Sequence, residues 1–224
     1  MTLRQLGIFA KYWKAGQVKT RLAKGVGKAA ASQLYRCFVE RLAARFQNTA
    51  DRRVLYYSPP ERREAFALLA GADWKIAPQS GDDLGERMKA YFDEAFAAGA
   101  EQVVLIGSDS PTLPIAYVDA AFEQLHEHPV VLGPSDDGGY YLIGARGATP
   151  PIFDQIAWST AEVWPQTLQH LAAAGMTFGE TPAYYDIDTV ADLPRLQTDL
   201  AGDNHPGDQH LQRLIAASLN GVQA

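Results

Sequence analysis

Residues 103–114, Val103-Val104-Leu105-Ile106-Gly107-Ser108-Asp109-Ser110-Pro111-Thr112-Leu113-Pro114, begin with four consecutive apolar side chains and then break sharply. The apolar run predicts a buried strand, and the Gly, the acid and the two prolines predict a turn that receives Asp109 at the strand's carboxyl end. In open α/β sheets ligands collect outside the carboxyl ends of the strands. An acid placed there is a hard-oxygen ligand suited to Mg²⁺ or Mn²⁺ carrying a phosphorylated substrate. The plainer alternative is that Asp109 caps the turn or the next helix.

Upstream, Leu3 to Phe9 reads as a first strand with Leu6, Ile8 and Phe9 as its apolar content. It enters a loop over 10–21 that carries Lys11, Lys14, Gly16, Lys19 and Arg21 in a chain of formal net charge −6. Basic residues gathered after a first strand suit a polyphosphate, because Arg grips phosphate oxygens two at a time and Lys adds a point charge. Taken singly, each is a solvated basic residue. Two nucleotide motifs come close and fail. Gly25-Val26-Gly27-Lys28-Ala29-Ala30 has the G-x-G-x-x-A spacing but is separated from the strand by Thr20 to Lys24, while Leu22 and Ala29 break the phosphate-loop pattern.

Helices and strands alternate along the rest of the chain. Lys28 to Phe46 places Leu34, Cys37, Phe38, Leu42 and Phe46 at three- and four-residue steps, an amphipathic helix. Val54 to Tyr57 reads as a strand, Glu61 to Ala70 as a helix closed by Gly71, and Trp74 to Ala77 as a short strand. Gln79 to Met88 opens a helix reaching about Ala98, capped by Ser80 or Asp82; its start is a second-rank candidate for holding a substrate oxygen. Ile115 to His126 reads as a helix and Val130 to Gly133 as a strand. Asp137, Gly138 and Gly139 then predict a hairpin before the strand that resumes at Tyr140, with glycines that let backbone approach a substrate closely. Ser159 with Glu162 reads as a capping box for a helix to about Ala174, and Trp158 either stacks on substrate or pins that helix to the core.

Ala183 to Leu193 predicts a short strand bearing Asp186 and Asp188, then a helix start boxed by Thr189 and Asp192. Alternate side chains of a strand share a face, so Asp186 and Asp188 can turn to the crevice that holds Asp109, and three acids from two strand ends would form a Mg²⁺ site. Solvated acids are the plain alternative. A polar loop from Gly202 to Gly207 and a helix from Leu211 to Leu219 complete the pattern.

The totals set bounds. A length of 224 residues suits one α/β domain over 1–224, since such domains run to about 250 residues. The negative net charge argues against a general nucleic-acid or anionic-membrane surface. Cys37 is the single cysteine, so no intrachain disulfide can form, which fits a reducing compartment. The start at Met1 lacks the pattern of a secretory signal, and no apolar run approaches the ~18 residues of a membrane span. The expectation is a cytoplasmic protein without membrane insertion.

Four segments together carry a resemblance: Phe9-Ala10-Lys11 with Gly16-Gln17-Val18-Lys19-Thr20-Arg21-Leu22-Ala23; Gly107-Ser108-Asp109-Ser110-Pro111; Asp137 to Gly144 with Trp158-Ser159-Thr160; and Asp186-Ile187-Asp188-Thr189. The chain resembles a bacterial GT-A-fold, glycosyltransferase-like family of unknown function in the nucleotide-diphospho-sugar transferase superfamily. It is similar to phospholactate guanylyltransferases and molybdenum-cofactor nucleotidyltransferases. The resemblance implies a three-layer α/β/α sandwich around a mostly parallel mixed sheet. It also implies that Lys11, Gly16, Lys19, Thr20 and Arg21 cradle a nucleotide's phosphates, with Lys19 and Arg21 sharing the catalytic load with Asp109. Metal would sit on Asp109 with Asp186 or Asp188, and substrate would meet Ser108, Asp137, Gly138, Gly139 and Trp158. The family's usual prolines between Ala10 and Gly16 are replaced here by Tyr12, Trp13, Lys14 and Ala15, which bears on how a base or sugar is held.

The expected activity is a Mg²⁺-dependent transfer from a nucleotide or nucleotide-sugar donor to a small acceptor molecule, phosphorylated or not, either nucleotidyl or glycosyl. A nucleotide-binding module without turnover is one alternative, since fold does not fix function. A haloacid-dehalogenase-type phosphatase is another, because Asp186-Ile187-Asp188-Thr189-Val190 partly resembles its nucleophile motif. That motif follows the first strand in that family, with a domain of ~150 residues around it, and here it stands far down the chain.

Overall fold

The computed structural model describes residues 2–202 and 208–222. Seven strands, β1 (Arg4–Lys11), β2 (Arg52–Ser58), β3 (Lys75–Pro78), β4 (Gln102–Ile106), β5 (Val130–Pro134), β6 (Tyr140–Arg146) and β7 (Phe178–Glu180), form one sheet in the order β3-β2-β1-β4-β6-β5-β7. Among the described residues the helices are α1 (Thr20–Val26), α2 (Lys28–Arg45), α3 (Arg63–Ala70), α4 (Leu84–Ala97), α5 (Ile115–Gln124), α6 (Val163–Ala173), α7 (Leu193–Gly202) and α8 (Asp208–Val222). Strands β3, β2, β1 and β4 are mutually parallel; β6 runs antiparallel to both β4 and β5, and β7 pairs parallel with β5.

Strand alternation sorts the core into two layers. Leu6 and Ile8 of β1, with Val104 and Ile106 of β4, meet Leu22, Phe38, Phe66, Phe122 and Leu196 on one face of the sheet. Val103 and Leu105, one register step away, meet Met88, Tyr91 and Phe92 of α4 and Leu171 of α6 on the other. Strand β4 is buried at all five positions, which is why its sequence reads as a continuous apolar run. The result is the α/β/α sandwich with a mostly parallel mixed sheet.

Local expectations differ from the structure at several points. Thr20 and Arg21, expected in the loop, open the helix Thr20–Val26; Gly27, at φ +84°, separates this helix of about two turns from α2. Helix α4 is capped by Asp83, whose side chain accepts the Glu86 amide at 2.8 Å, in place of Ser80 or Asp82. The Ser159–Glu162 box does not form. Ser159 sits at φ +66°, outside the extended region an N-cap requires, and Thr160 Oγ1 accepts the Glu162 amide instead. The short strand expected within Ala183 to Leu193, bearing Asp186 and Asp188, does not form, and β7 lies further upstream. Pro182 cannot donate, and beyond it Tyr184 continues the ladder through a bridge to Ser135. The Thr189–Asp192 box is present and opens the short 3₁₀ turn before α7. Most of the expected polar loop from Gly202, namely 203–207, lies outside the described residues.

Candidate active site

Strand β1 pairs with β2 on one side and β4 on the other, so the chain leaves it in one direction and returns in the other. Such a switch point opens a crevice at the carboxyl ends of the strands. Two backbone links draw later segments into it. The Gly107 amide donates to Tyr141 O at 3.0 Å, fixing the start of β6 beside the end of β4. The Ile187 amide donates to Asp109 O at 2.9 Å, fixing the 186–188 segment beside Asp109. Ile187 and Tyr185 are buried in the core, so Asp186 and Asp188 face the crevice by alternation. The resulting cleft has a volume of about 1030 Å³.

At its floor a cation sits among the acids. Lys19 stands at φ 47°, ψ 48°, a left-handed conformation uncommon for a residue with a side chain, just ahead of α1. Its ammonium forms an ion pair with Asp109 and a second with Asp188 at 3.2 Å, and its side chain is only 4% exposed. Arg21 reaches Asp188 from the solvent side. Burial pulls the Lys19 pKa down, but Asp109 and Asp188, with Asp186 behind them, outweigh burial and raise it. The Asp186 carboxyl is pushed up to about 7, first by burial and then by Asp109; the Ser110 hydroxyl, donating to it at 2.6 Å, works in the opposite direction.

Residues from α2 brace this floor, and nothing in the local sequence marks them. Tyr35 Oη accepts the Lys11 amide at 3.0 Å and lies 2.7 Å from Ser108 Oγ. Arg41 donates to Pro111 O at 2.7 Å and to both carboxylate oxygens of Asp208, at 2.7 and 3.0 Å, and both side chains of that pair are buried. The turn after Asp109 is thereby tied to α8. Gly85 lets the start of α4 press against the 153–158 segment; a Cβ there would collide with Phe153 O and lie 2.6 Å from Trp158 Nε1. Trp158 meets Tyr140 edge-on at 6.4 Å, so it both packs and lines the cleft.

Of the residues expected at the site, Lys11, Lys19, Thr20, Arg21, Ser108, Asp109, Asp137, Gly139, Trp158, Asp186 and Asp188 line this cleft. Gly16 and Gly138 do not. Gly16 turns the first loop at φ +81°, and Gly138 turns the hairpin at φ +90° against Ala161. Gln79 and Arg87, from the second-rank stretch at the start of α4, also line the cleft, as do Gln17 and Tyr140, which the sequence did not single out as site residues. The three acids are not arranged as a metal cage by themselves: among the described residues no group of three His, Cys, Asp or Glu side chains is placed to hold an ion. The reason is local, since Lys19 takes the position between Asp109 and Asp188.

The aromatic pair in the first loop turns away from the cleft. Trp13 packs on Phe66 at 5.1 Å and on Tyr12 at 5.0 Å, while Arg36 lies over Trp13 and Arg62 over Tyr12. These residues staple the loop to α2 and its neighbours.

Comparison with known proteins places this geometry. A crystallised chain from Desulfovibrio desulfuricans G20, named as a nucleotide-diphospho-sugar transferase, is 34% identical with a TM-score of 0.89, covering 100% of this chain and 98% of that one. A nucleotidyl transferase from Methanothermobacter thermautotroptrophicus, 13% identical with a TM-score of 0.62, shares the fold over 91% of this chain and 100% of that one. The 3-phospho-D-glycerate guanylyltransferase of Phenylobacterium zucineum (strain HLK1) is 37% identical over 107 residues, which span 45% of this chain and 47% of that relative. Residues 41–160, which run from α2 through β4 and the Asp137 hairpin to Trp158, match the family described as "Uncharacterized protein conserved in bacteria (DUF2064)", and the chain belongs to that family.

Proposed function

We propose that this protein is a nucleotidyltransferase that moves a nucleoside monophosphate from a nucleoside triphosphate to a small phosphorylated acid. The observation that carries the reading is the meeting of Lys19 and Arg21 with Asp109, Asp186 and Asp188 at the carboxyl ends of β1 and β4. The relative named for guanylyl transfer to 3-phospho-D-glycerate supports the acceptor class, and guanine as the base.

In the reaction an oxygen of the acceptor's phosphate attacks the α-phosphorus, the bond from that phosphorus to its bridging oxygen breaks, and pyrophosphate leaves. Lys19 and Arg21, with Lys11 at the rim, bind the phosphates and offset the charge that builds on the leaving group. The hairpin with Asp137 and Gly139, together with Trp158, walls the opposite side and positions the acceptor.

Mg²⁺ or Mn²⁺ fits the donor set. Asp109 and Asp186 offer only hard oxygens into the same cleft, and they stand near enough that Asp109 adds to the burial that raises the Asp186 pKa. Magnesium sites use one or two carboxylates completed by substrate phosphates, so no all-protein cage is needed. Asp109 and Asp186, with Asp188 beside them, would hold the ion, and when bound it would neutralise phosphate charge.

The test is incubation with the four nucleoside triphosphates and a set of small phosphorylated acids, with and without Mg²⁺, reading pyrophosphate. Acceptor-dependent pyrophosphate supports the proposal. Release of a nucleoside diphosphate from nucleotide sugars, without pyrophosphate from triphosphates, would replace it with glycosyl transfer.

A further inference from the structure

The acids at the floor of the cleft already hold a cation of the protein's own. Asp109, Asp186 and Asp188 face the Lys19 ammonium and the Arg21 guanidinium, and two of the three acids are ion-paired. A divalent ion arriving alone would have to separate Asp109 from the ammonium. The pairing is not sealed from the cleft: the Asp109 side chain is 48% exposed and that of Asp188 25%. The lysine stem is flexible and its head has three rotatable donors, so it can pass from carboxylate to phosphate oxygen without movement of the backbone.

We propose that Lys19 is an exchangeable counter-ion: its ammonium neutralises Asp109 and Asp188 until a triphosphate draws it off, so the site takes its divalent metal together with the nucleotide and not before it. This rests on the nucleotidyl-transfer reading of the site. A triphosphate offers Lys19 and Arg21 more negative charge than the two carboxylates do, and the carboxylates it releases then face the cleft with no counter-ion. Metal and triphosphate affinities are thereby coupled, and by linkage each raises the other by the same factor.

The experiment is a Mn²⁺ titration followed by electron paramagnetic resonance on the purified chain without nucleotide, so the readout does not depend on turnover. Wild type is expected to bind Mn²⁺ weakly. Lys19→Met, which keeps the stem and removes the charge, is expected to bind it at least about tenfold more tightly, and the added substitution Asp109→Asn to abolish the gain. Lys19→Arg, which restores a cation, is expected to bind as weakly as wild type and covers the case in which Lys19→Met does not fold. Equal affinity in wild type and Lys19→Met, or tight binding by Lys19→Arg, would overturn the exchange while leaving nucleotidyl transfer standing. Absence of Mn²⁺ binding in every variant, with guanosine 5′-(β,γ-imido)triphosphate as well as without it, would remove the metal from the functional reading, and the exchange with it.

Discussion

Tyr35 and Ser108 meet at 2.7 Å, and the same Tyr35 hydroxyl oxygen accepts the amide of Lys11 at 3.0 Å. One side chain of α2 therefore joins the ends of β1 and β4, the two strands that deliver Lys19 and Asp109. Tyr35→Phe removes that oxygen and leaves a half-buried amide and a buried hydroxyl without it, at a cost of about 1–3 kcal/mol. For a chain of this size that corresponds to roughly 2–4 °C in melting temperature per kcal/mol. Calorimetry checks the stability, and a lower kcat with little change in KM for the nucleotide would show that Tyr35 acts by positioning.

Asp109→Asn keeps the shape of the turn, because the Asp109 carbonyl still receives the Ile187 amide. It removes the charge that Lys19 and the proposed metal share. Turnover should fall by at least about 10²-fold, the scale of losing one aligned electrostatic group, with circular dichroism unchanged. Unchanged turnover would take Asp109 out of the mechanism.

The raised Asp186 pKa sets a pH dependence. Its folded value of about 7 lies above its ordinary 3.8, so between them the folded protein holds a proton that the unfolded chain has released. Stability should therefore fall as pH rises through that window, and level off above it. Urea midpoints measured without metal across that range should show this slope in wild type. Asp186→Asn should flatten it, and Asp109→Asn, by removing the like charge, should shrink it.

The buried Arg41–Asp208 pair fixes α8 against the turn that follows Asp109. Removing one partner takes the ion pair from a charge that stays buried, so Asp208→Leu or Arg41→Met alone should cost about 3–5 kcal/mol. The double substitution should cost much less than the sum of the two, and a double-mutant cycle by urea unfolding reads that coupling directly.

Where one physical signal dominated locally, the sequence was easy to read. Val103 to Ile106 are buried on both faces of the sheet, so their apolar run could mean little else. Asp186 and Asp188 flank Ile187, which is fully buried, and the period of two alone turns both acids to one side. What could not be read depended on distant partners. The basic loop pointed to phosphate, but nothing near Lys19 shows that it rests on Asp188, 169 residues away. Tyr35 looks like one more core aromatic of an amphipathic helix, because its hydroxyl partners lie in two strands elsewhere. Ser159 failed for the opposite reason: a three-residue spacing matched a capping box, while the backbone took a left-handed turn that no spacing rule registers. Strand β7 is three residues long, too short for its alternation to stand out.

The fate of the α-phosphorus tests the account most directly. ³¹P nuclear magnetic resonance of the products from GTP, 3-phospho-D-glycerate and Mg²⁺ should show a new phosphoanhydride joining the nucleotide to the acceptor, and free pyrophosphate in equal amount. The nucleoside mono- or diphosphate with the acceptor unchanged, from GTP and from every other nucleoside triphosphate and phosphorylated acid supplied, would contradict it.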